Sequence, residues 1–208
     1  MLTAPLDDVI VKVKTKYISN ITTLLKRSAI QNNASVDPLD FVNITGEIVS
    51  IPKAITKRFD YEGYSLEHIK VGDIAIFSYH VIGEQWITED QKIEFKNRIW
   101  YDGQEYFRCN IMDLFGVIRD GKVIMLNGYV MATPFPESKI IVAASMKKTK
   151  GVVKSEVMNI GYPKSNKKCI DAMQGDTILF NPMVAQKYQI NDKPFIILSQ
   201  HHIMAKEA

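Results

Sequence analysis

Cysteine is scarce: Cys109 and Cys169 are the only two in 208 residues. They lie far apart, one in a strand-like stretch and one in a polar turn, so the count gives no disulfide framework, and both are expected to be unpaired in a reducing, cytoplasmic setting. Histidine is equally thin, with His68, His80, His201 and His202. Neither these nor the cysteines cluster at zinc-ligand spacing, and no Gly-x-Gly-x-x-Gly follows a strand. No catalytic residue, metal site or cofactor is therefore expected, and the chain does not read as an enzyme. The excess of charge is small, 26 basic against 23 acidic residues, net +3, too weak a field for nucleic acid. Trp86 and Trp100, with Tyr101 and Tyr106, lack the interleaved basic residues of a base-stacking groove; packing of a hairpin or a subunit contact suits them better. No stretch approaches the roughly 20 apolar residues of a membrane span. Asp7 and Asp8 precede any apolar run long enough for a signal peptide, which predicts a soluble, unexported protein.

The remaining composition, 46% apolar and 24% charged, is that of an ordinary globular chain large enough for one domain or two. Its apolar residues mostly alternate with a period of two, the mark of half-buried strands. Val9, Val11 and Val13 share one face of VIVKVKTKY. A Ser/Thr/Asn-rich stretch follows from Ile18 to Val42, interrupted by Ile21, Leu24 and Leu25, a spacing that also suits a short amphipathic helix. Alternation resumes in FVNITGEIVSIP, then in IKVGDIAIFSYHVI, where Gly72-Asp73 reads as a turn. Asp102-Gly103 marks a hairpin in the Trp-bearing region, and EYFRCNIMDLFGVI closes this half. His201 and His202, adjacent on a strand, are expected on opposite faces, one exposed and the other buried or edge-lying.

The second half follows the same order: DGKVIMLNGYVMA, a long loop, TKGVVKSEVMNIG, QGDTILFNP and KPFIILSQHHIMA. GDIAIF at Gly72 matches GDTILF at Gly175. The spacing between counterparts falls steadily, from 120 (Leu6 to Leu126) through 105 (Gly46 to Gly151) and 103 (Gly72 to Gly175) to 89 (Leu114 to Ile203). The extra length of the first half thus sits in its first loop and in the Trp-bearing hairpin, as expected when one β module is duplicated and loops diverge. The boundaries predicted are 1–121 and 122–208.

A unit reading PLDDVIVKV, long loop, TGEIVSI, VKVGDIAIF and FRCNIMDLFGVI resembles the GroES-like co-chaperonins. Pro5, Leu6, Asp7, Val9, Gly46, Glu47, Val71, Gly72, Asp73, Asp113 and Leu114 carry the likeness in the first half, with Asp8 where the family usually has Arg. In the second half Leu126, Gly151, Gly175, Asp176, Ile203 and Ala205 carry it, while Asn127, Gly128 and Tyr129 replace the opening Asp-Arg-Val and His202 the late Asp. The resemblance implies an all-β fold of two tandem GroES-like small β-barrels, each with a long loop after its first strand. It also implies a ring-shaped homo-oligomer that caps a GroEL-like chaperonin ring and assists ATP-driven folding, the nucleotide being handled by the partner.

In that family the loop after the first strand is disordered when free and carries an aliphatic plug. Ile140, Ile141 and Val142, in SKIIVAASMKKTKGVV after Pro134, Phe135 and Pro136, stand where the plug would be, with Lys139 in place of the family's Gly. Ile21, Leu24 and Leu25 form the weaker first-half candidate. Burying three aliphatic side chains yields on the order of 1.5–3 kcal/mol each, offset by ordering the loop, and repetition around a ring would turn weak contacts into tight capping. Two alternatives stay open: IIVA is a strand of its own core, or the barrels build a structural ring or adaptor, such as a viral particle component, that engages no chaperonin. The first and closing strands of each half are expected to be apolar sheet edges that pair between subunits, with Val11 and Ile197 in the contact.

Overall fold

The computed structural model describes residues 2–13, 45–56, 65–78, 80–83, 85–87, 93–135, 152–161, 170–190 and 193–207. The first half forms β1 (Asp8–Val13), β2 (Thr45–Ser50), β3 (Ile74–Phe77), a helical turn at His80–Gly83, β4 (Gln85–Ile87), β5 (Ile93–Phe95), β6 (Arg98–Tyr101), β7 (Gln104–Asn110) and β8 (Leu114–Arg119). After β9 (Lys122–Met125) the second half forms β10 (Tyr129–Ala132), β11 (Val153–Ile160), β12 (Thr177–Phe180), β13 (Gln186–Ile190), β14 (Lys193–Ser199) and β15 (Ile203–Glu207). The fold is all-β, as expected, and is built on two antiparallel sheets.

The sheet orders are β6-β7-β1-β2-β3-β8-β9 and β13-β14-β10-β11-β12-β15, with β4 and β5 pairing apart. Stripped of β9, the first order is the second with each strand replaced by its counterpart. Local detail repeats as well. The β1–β2 and β10–β11 ladders both slip by a residue, at Ile10/Val11 and at Met131/Ala132. The β3–β8 and β12–β15 ladders slip at Ile76/Phe77 and Leu179/Phe180. The Asp102-Gly103 hairpin forms as predicted, with φ of 50° and 68° at its two residues, the left-handed pair that matches strand twist.

Backbone hydrogen bonds correct the alignment made from sequence. The Ile111 amide donates to the Asp7 carbonyl and the Gln200 amide to the Gly128 carbonyl, so Asp7 matches Gly128, both at left-handed φ (69° and 73°), and not Asn127. Ile48 and Val157 donate to the carbonyls of Asp73 and Asp176, so the counterpart of Gly46 is Ser155 rather than Gly151. At position 46 a Cβ would lie 3.0 Å from the Lys12 carbonyl oxygen, so a larger residue there requires its neighbours to give by a few tenths of an ångström.

Each sheet has its own core. Val9, Val11, Ile48, Phe77, Phe107 and Leu114 anchor the first; Val130, Val157, Ile178, Phe180, Ile196 and Leu198 anchor the second. Val11 and Ile197 lie inside the fold, 0% and 1% exposed, because β1 and β14 each have a strand on both sides. The first strands are therefore not edges; among the described residues the edges of the two large sheets are β6, β9, β13 and β15. His201 and His202 also depart from expectation. They sit in a 3-10 turn, not a strand, so both are exposed, with ring centroids 4.3 Å apart.

Candidate partner-binding site

The Gly-Asp turns form one construction made twice. Gly72 and Gly175 adopt φ of 92° and 93°, which a residue with a Cβ takes only under strain. Their amides donate to Ile48 and Val157. The Asp73 carboxylate accepts from the Lys70 amide at 2.7 Å, and Asp176 from the Met173 amide at 2.8 Å. A cation from the closing strand completes each turn. Arg119 forks onto both Asp73 oxygens at 2.7 Å and donates to the His68 carbonyl; Lys206 reaches Asp176 at 3.1 Å and the Asp171 carbonyl. Burial pushes the Asp73 carboxyl up, but the Arg119 and Lys70 hydrogen bonds outweigh it and hold the group below its ordinary value. Asp176 is lowered too, by the Met173 amide and then Lys206. These turns pin β2, β3 and the closing strand together; their role is structural, and Arg119 and Lys206 carried no recognisable signal in the sequence.

The long connections leave the sheets at corresponding places. One departs after Val13 and returns at Thr45, with Val13 paired to Gly46. The other departs beyond Ala132, paired to Val157, where the Thr133 amide donates to the Glu156 carbonyl and Phe135 packs edge-on against Phe180, centroids 5.9 Å apart. Each connection thus begins and ends on adjacent strands. The candidate plug Ile140, Ile141 and Val142 and the weaker Ile21, Leu24 and Leu25 all lie outside the described residues, as does Cys169. Cys109 is a free, fully buried thiol, pushed well up by burial and then by Asp113 and Asp8. Trp100 is 66% exposed, with the Arg98 guanidinium 5.7 Å from its ring centre, so it does not pack the hairpin interior. Among the described residues no group of three or more His, Cys, Asp or Glu is arranged to hold a metal ion, and no helix is long and apolar enough to cross a membrane.

Sequence reasoning missed the surface that joins the halves. Ile76, Phe115 and Met125 from one sheet and Met131, Tyr188, Phe195 and Ile197 from the other make a shared buried cluster. Phe115 sits 4.6 Å from Tyr129 and 6.0 Å from Tyr188, centroid to centroid. The Tyr188 hydroxyl donates to the Phe77 carbonyl at 2.8 Å, Asn127 Nδ2 to the carbonyls of Ile111 and Leu114, and Asn159 Nδ2 to that of Val123. Burial pushes the Tyr129 hydroxyl up to about 12. The signal was present in the apolar outer faces of β10 and β14, but it reads equally well as a subunit contact.

Together these features define an all-β protein of two like-ordered antiparallel sheets, each with a long connection between its first two strands. Residues 123–207, which span the whole second sheet, match the family model described as Chaperonin 10 Kd subunit, the co-chaperonin family that the motifs resemble. No curated protein matches the chain.

Proposed function

We propose that the chain is a co-chaperonin: a non-enzymatic ring component of the cytoplasm that caps a GroEL-like chaperonin through apolar loop segments, leaving ATP hydrolysis to its partner. The family match over residues 123–207 carries this reading, and the repeated strand order extends it to the first half. In this reading the chain is a tandem duplication with modules 1–121 and 122–208, β9 being lent by the second module to the first module's sheet. Ile140, Ile141 and Val142 are the docking residues, and Ile21, Leu24 and Leu25 the secondary ones. Connections anchored at both ends on neighbouring strands suit this role, because a docking segment between the anchors stays within reach of its target. The test is co-migration with a chaperonin and ATP on a sizing column. Wild type is expected to co-migrate and Ile141→Asp to lose most of the bound fraction while keeping its fold. No co-migration of wild type with any chaperonin tried would favour a structural ring or adaptor, to which the departures at Asp8 and the Trp-bearing hairpin already incline the first half.

A further inference from the structure

The turn that precedes each closing strand is built twice, and the two copies use their cap residue differently. In the first half the turn is Ile111–Asp113, and the Asn110 side chain accepts from the Met112 amide at 3.0 Å, the usual work of an N-cap. In the second half it is Gln200–His202, and Ser199 makes no such bond to the backbone. Its hydroxyl lies instead 2.6 Å from Nδ1 of His201. Because Ile111 and Gln200 make matching backbone bonds, His201 and His202 are the counterparts of Met112 and Asp113. The residue that caps one turn orients an imidazole on the other.

Adjacency alone does not bring the two imidazoles together. Successive residues of a 3-10 turn leave its axis about 120° apart, and those of a strand point to opposite faces. The arrangement expected from sequence, one ring on each face of a strand, would have kept them from sharing a ligand. Here the ring centroids lie 4.3 Å apart with planes inclined at 56°, and both residues are exposed. Two imidazole nitrogens bound at about 2 Å to one ion hold the ring centres about 4.5 Å apart when cis at a right angle and about 5 Å apart in a tetrahedron. The observed spacing falls at the right-angle end, which suits an ion of tetragonal preference such as Cu²⁺ better than Zn²⁺. A His201 ring that gives its Nδ1 proton to Ser199 Oγ keeps the Nε2 lone pair for a metal and is fixed in orientation. Ser199 is only 9% exposed, so this support comes from the body of the sheet.

We propose that His201 and His202 form a two-histidine site for a divalent transition-metal ion of the Cu²⁺ type, with Ser199 as the residue that positions His201. Among the described residues no group of three or more His, Cys, Asp or Glu is formed, so the other coordination positions are open to water and the ion exchanges with solvent. The site draws on second-half residues alone and needs neither a ring nor a chaperonin.

Cu²⁺ titration of the full chain tests it, in a Cys169→Ser background that leaves buried Cys109 as the single thiol. Electron paramagnetic resonance is expected to show one Cu²⁺ per chain coupled to two imidazole nitrogens, and Zn²⁺ at equal concentration should not displace it. His201→Asn and His202→Asn should each weaken binding by about tenfold or more, since the second nitrogen binds within the chelate, and should reduce the coupling to one nitrogen. Both sites are exposed, and circular dichroism of the variants should match the parent. Ser199→Ala should weaken binding roughly tenfold, and Ser199→Thr, which keeps the hydroxyl, should restore it; a purely structural role would lower Tm in Ser199→Ala and leave the affinity alone. His68 and His80 remain in every variant, so a signal carried by them would persist. Equal affinity in the parent and both histidine variants would mean an adventitious ion only and would overturn the site, as would coupling to one nitrogen in the parent. Unchanged affinity in Ser199→Ala would overturn the positioning role.

Discussion

Replacing Tyr188 by Phe deletes one oxygen, and that oxygen is the donor joining β13 to the Phe77 carbonyl of the other half, 111 residues away in sequence. The ring stays, with its edge-on contact to Phe115 and its stacking on Phe195, so the change isolates the hydrogen bond. A buried neutral bond contributes about 1 kcal/mol, rising toward about 3 kcal/mol when the abandoned partner finds no water. In a chain of this size each kcal/mol moves Tm by roughly 2–4 °C. Tyr188→Phe is therefore expected to lower Tm by several degrees in scanning calorimetry and to shift the urea midpoint with no change of slope. Tyr188→Ala also removes the ring and leaves a cavity in the shared cluster, a loss of about 3–5 kcal/mol. Because that cluster binds the sheets to each other, wild type should unfold in one transition and Tyr188→Ala in two, the halves no longer coupled. Two transitions in wild type, or an unchanged Tm in Tyr188→Phe, would refute the claim that the halves share a core.

Asp73→Asn replaces a buried carboxylate that two Arg119 nitrogens and the Lys70 amide engage, and should cost about 1.5–3 kcal/mol by urea titration. The folded-state value of Asp73 is depressed, so its contribution is fully present above the ordinary Asp value of 3.8 and is lost as pH falls through the folded value; an acid titration of stability should therefore show a shallower fall in Asp73→Asn than in wild type. At Gly116 a Cβ would lie 2.8 Å from the Ile124 carbonyl oxygen, so Gly116→Ala is expected to cost roughly 1–3 kcal/mol and to speed amide exchange in β9; unchanged exchange there would count against the β8–β9 joint. Native Cys109 should resist a thiol reagent near pH 8 until the chain unfolds, since burial keeps its thiol protonated; rapid native labelling assigned to Cys109 would contradict its burial.

The period-two patterns, the Gly-Asp turns and the Asp102-Gly103 hairpin were legible because each is a local rule: side-chain alternation, or a backbone angle that few residues accept. What could not be read was how far a strand's second face is covered. Val11 and Ile197 lie on apolar strands that read as edges, yet each has neighbours on both sides, and only pairing with Phe107, 96 residues away (107 − 11), and with Met131, 66 residues away (197 − 131), decides that. The same holds for β9. Its residues looked like the opening strand of the second half, and in sequence nothing separates that from a strand handed to the first half's sheet. Arg119 and Lys206 were invisible for a related reason: a surface cation becomes structural only once the fold brings it to a carboxylate 46 or 30 residues away.

That division explains why the candidate docking residues stand apart from the rest. A plug that binds a partner is chosen for what it does outside its own fold, so neither alternation nor internal packing marks it; Ile140, Ile141 and Val142 were singled out by their apolar character in polar company and by position after a first strand. The family match covers the sheet that carries this connection, and the first half has a corresponding connection between β1 and β2 with a different sequence. A double comparison follows. If both loops dock, Ile141→Asp and Leu24→Asp should each weaken chaperonin co-migration, and combining them should abolish it. If only the second does, Leu24→Asp should co-migrate like wild type, and the first-half loop would be free to have diverged toward another contact, as its greater length suggests.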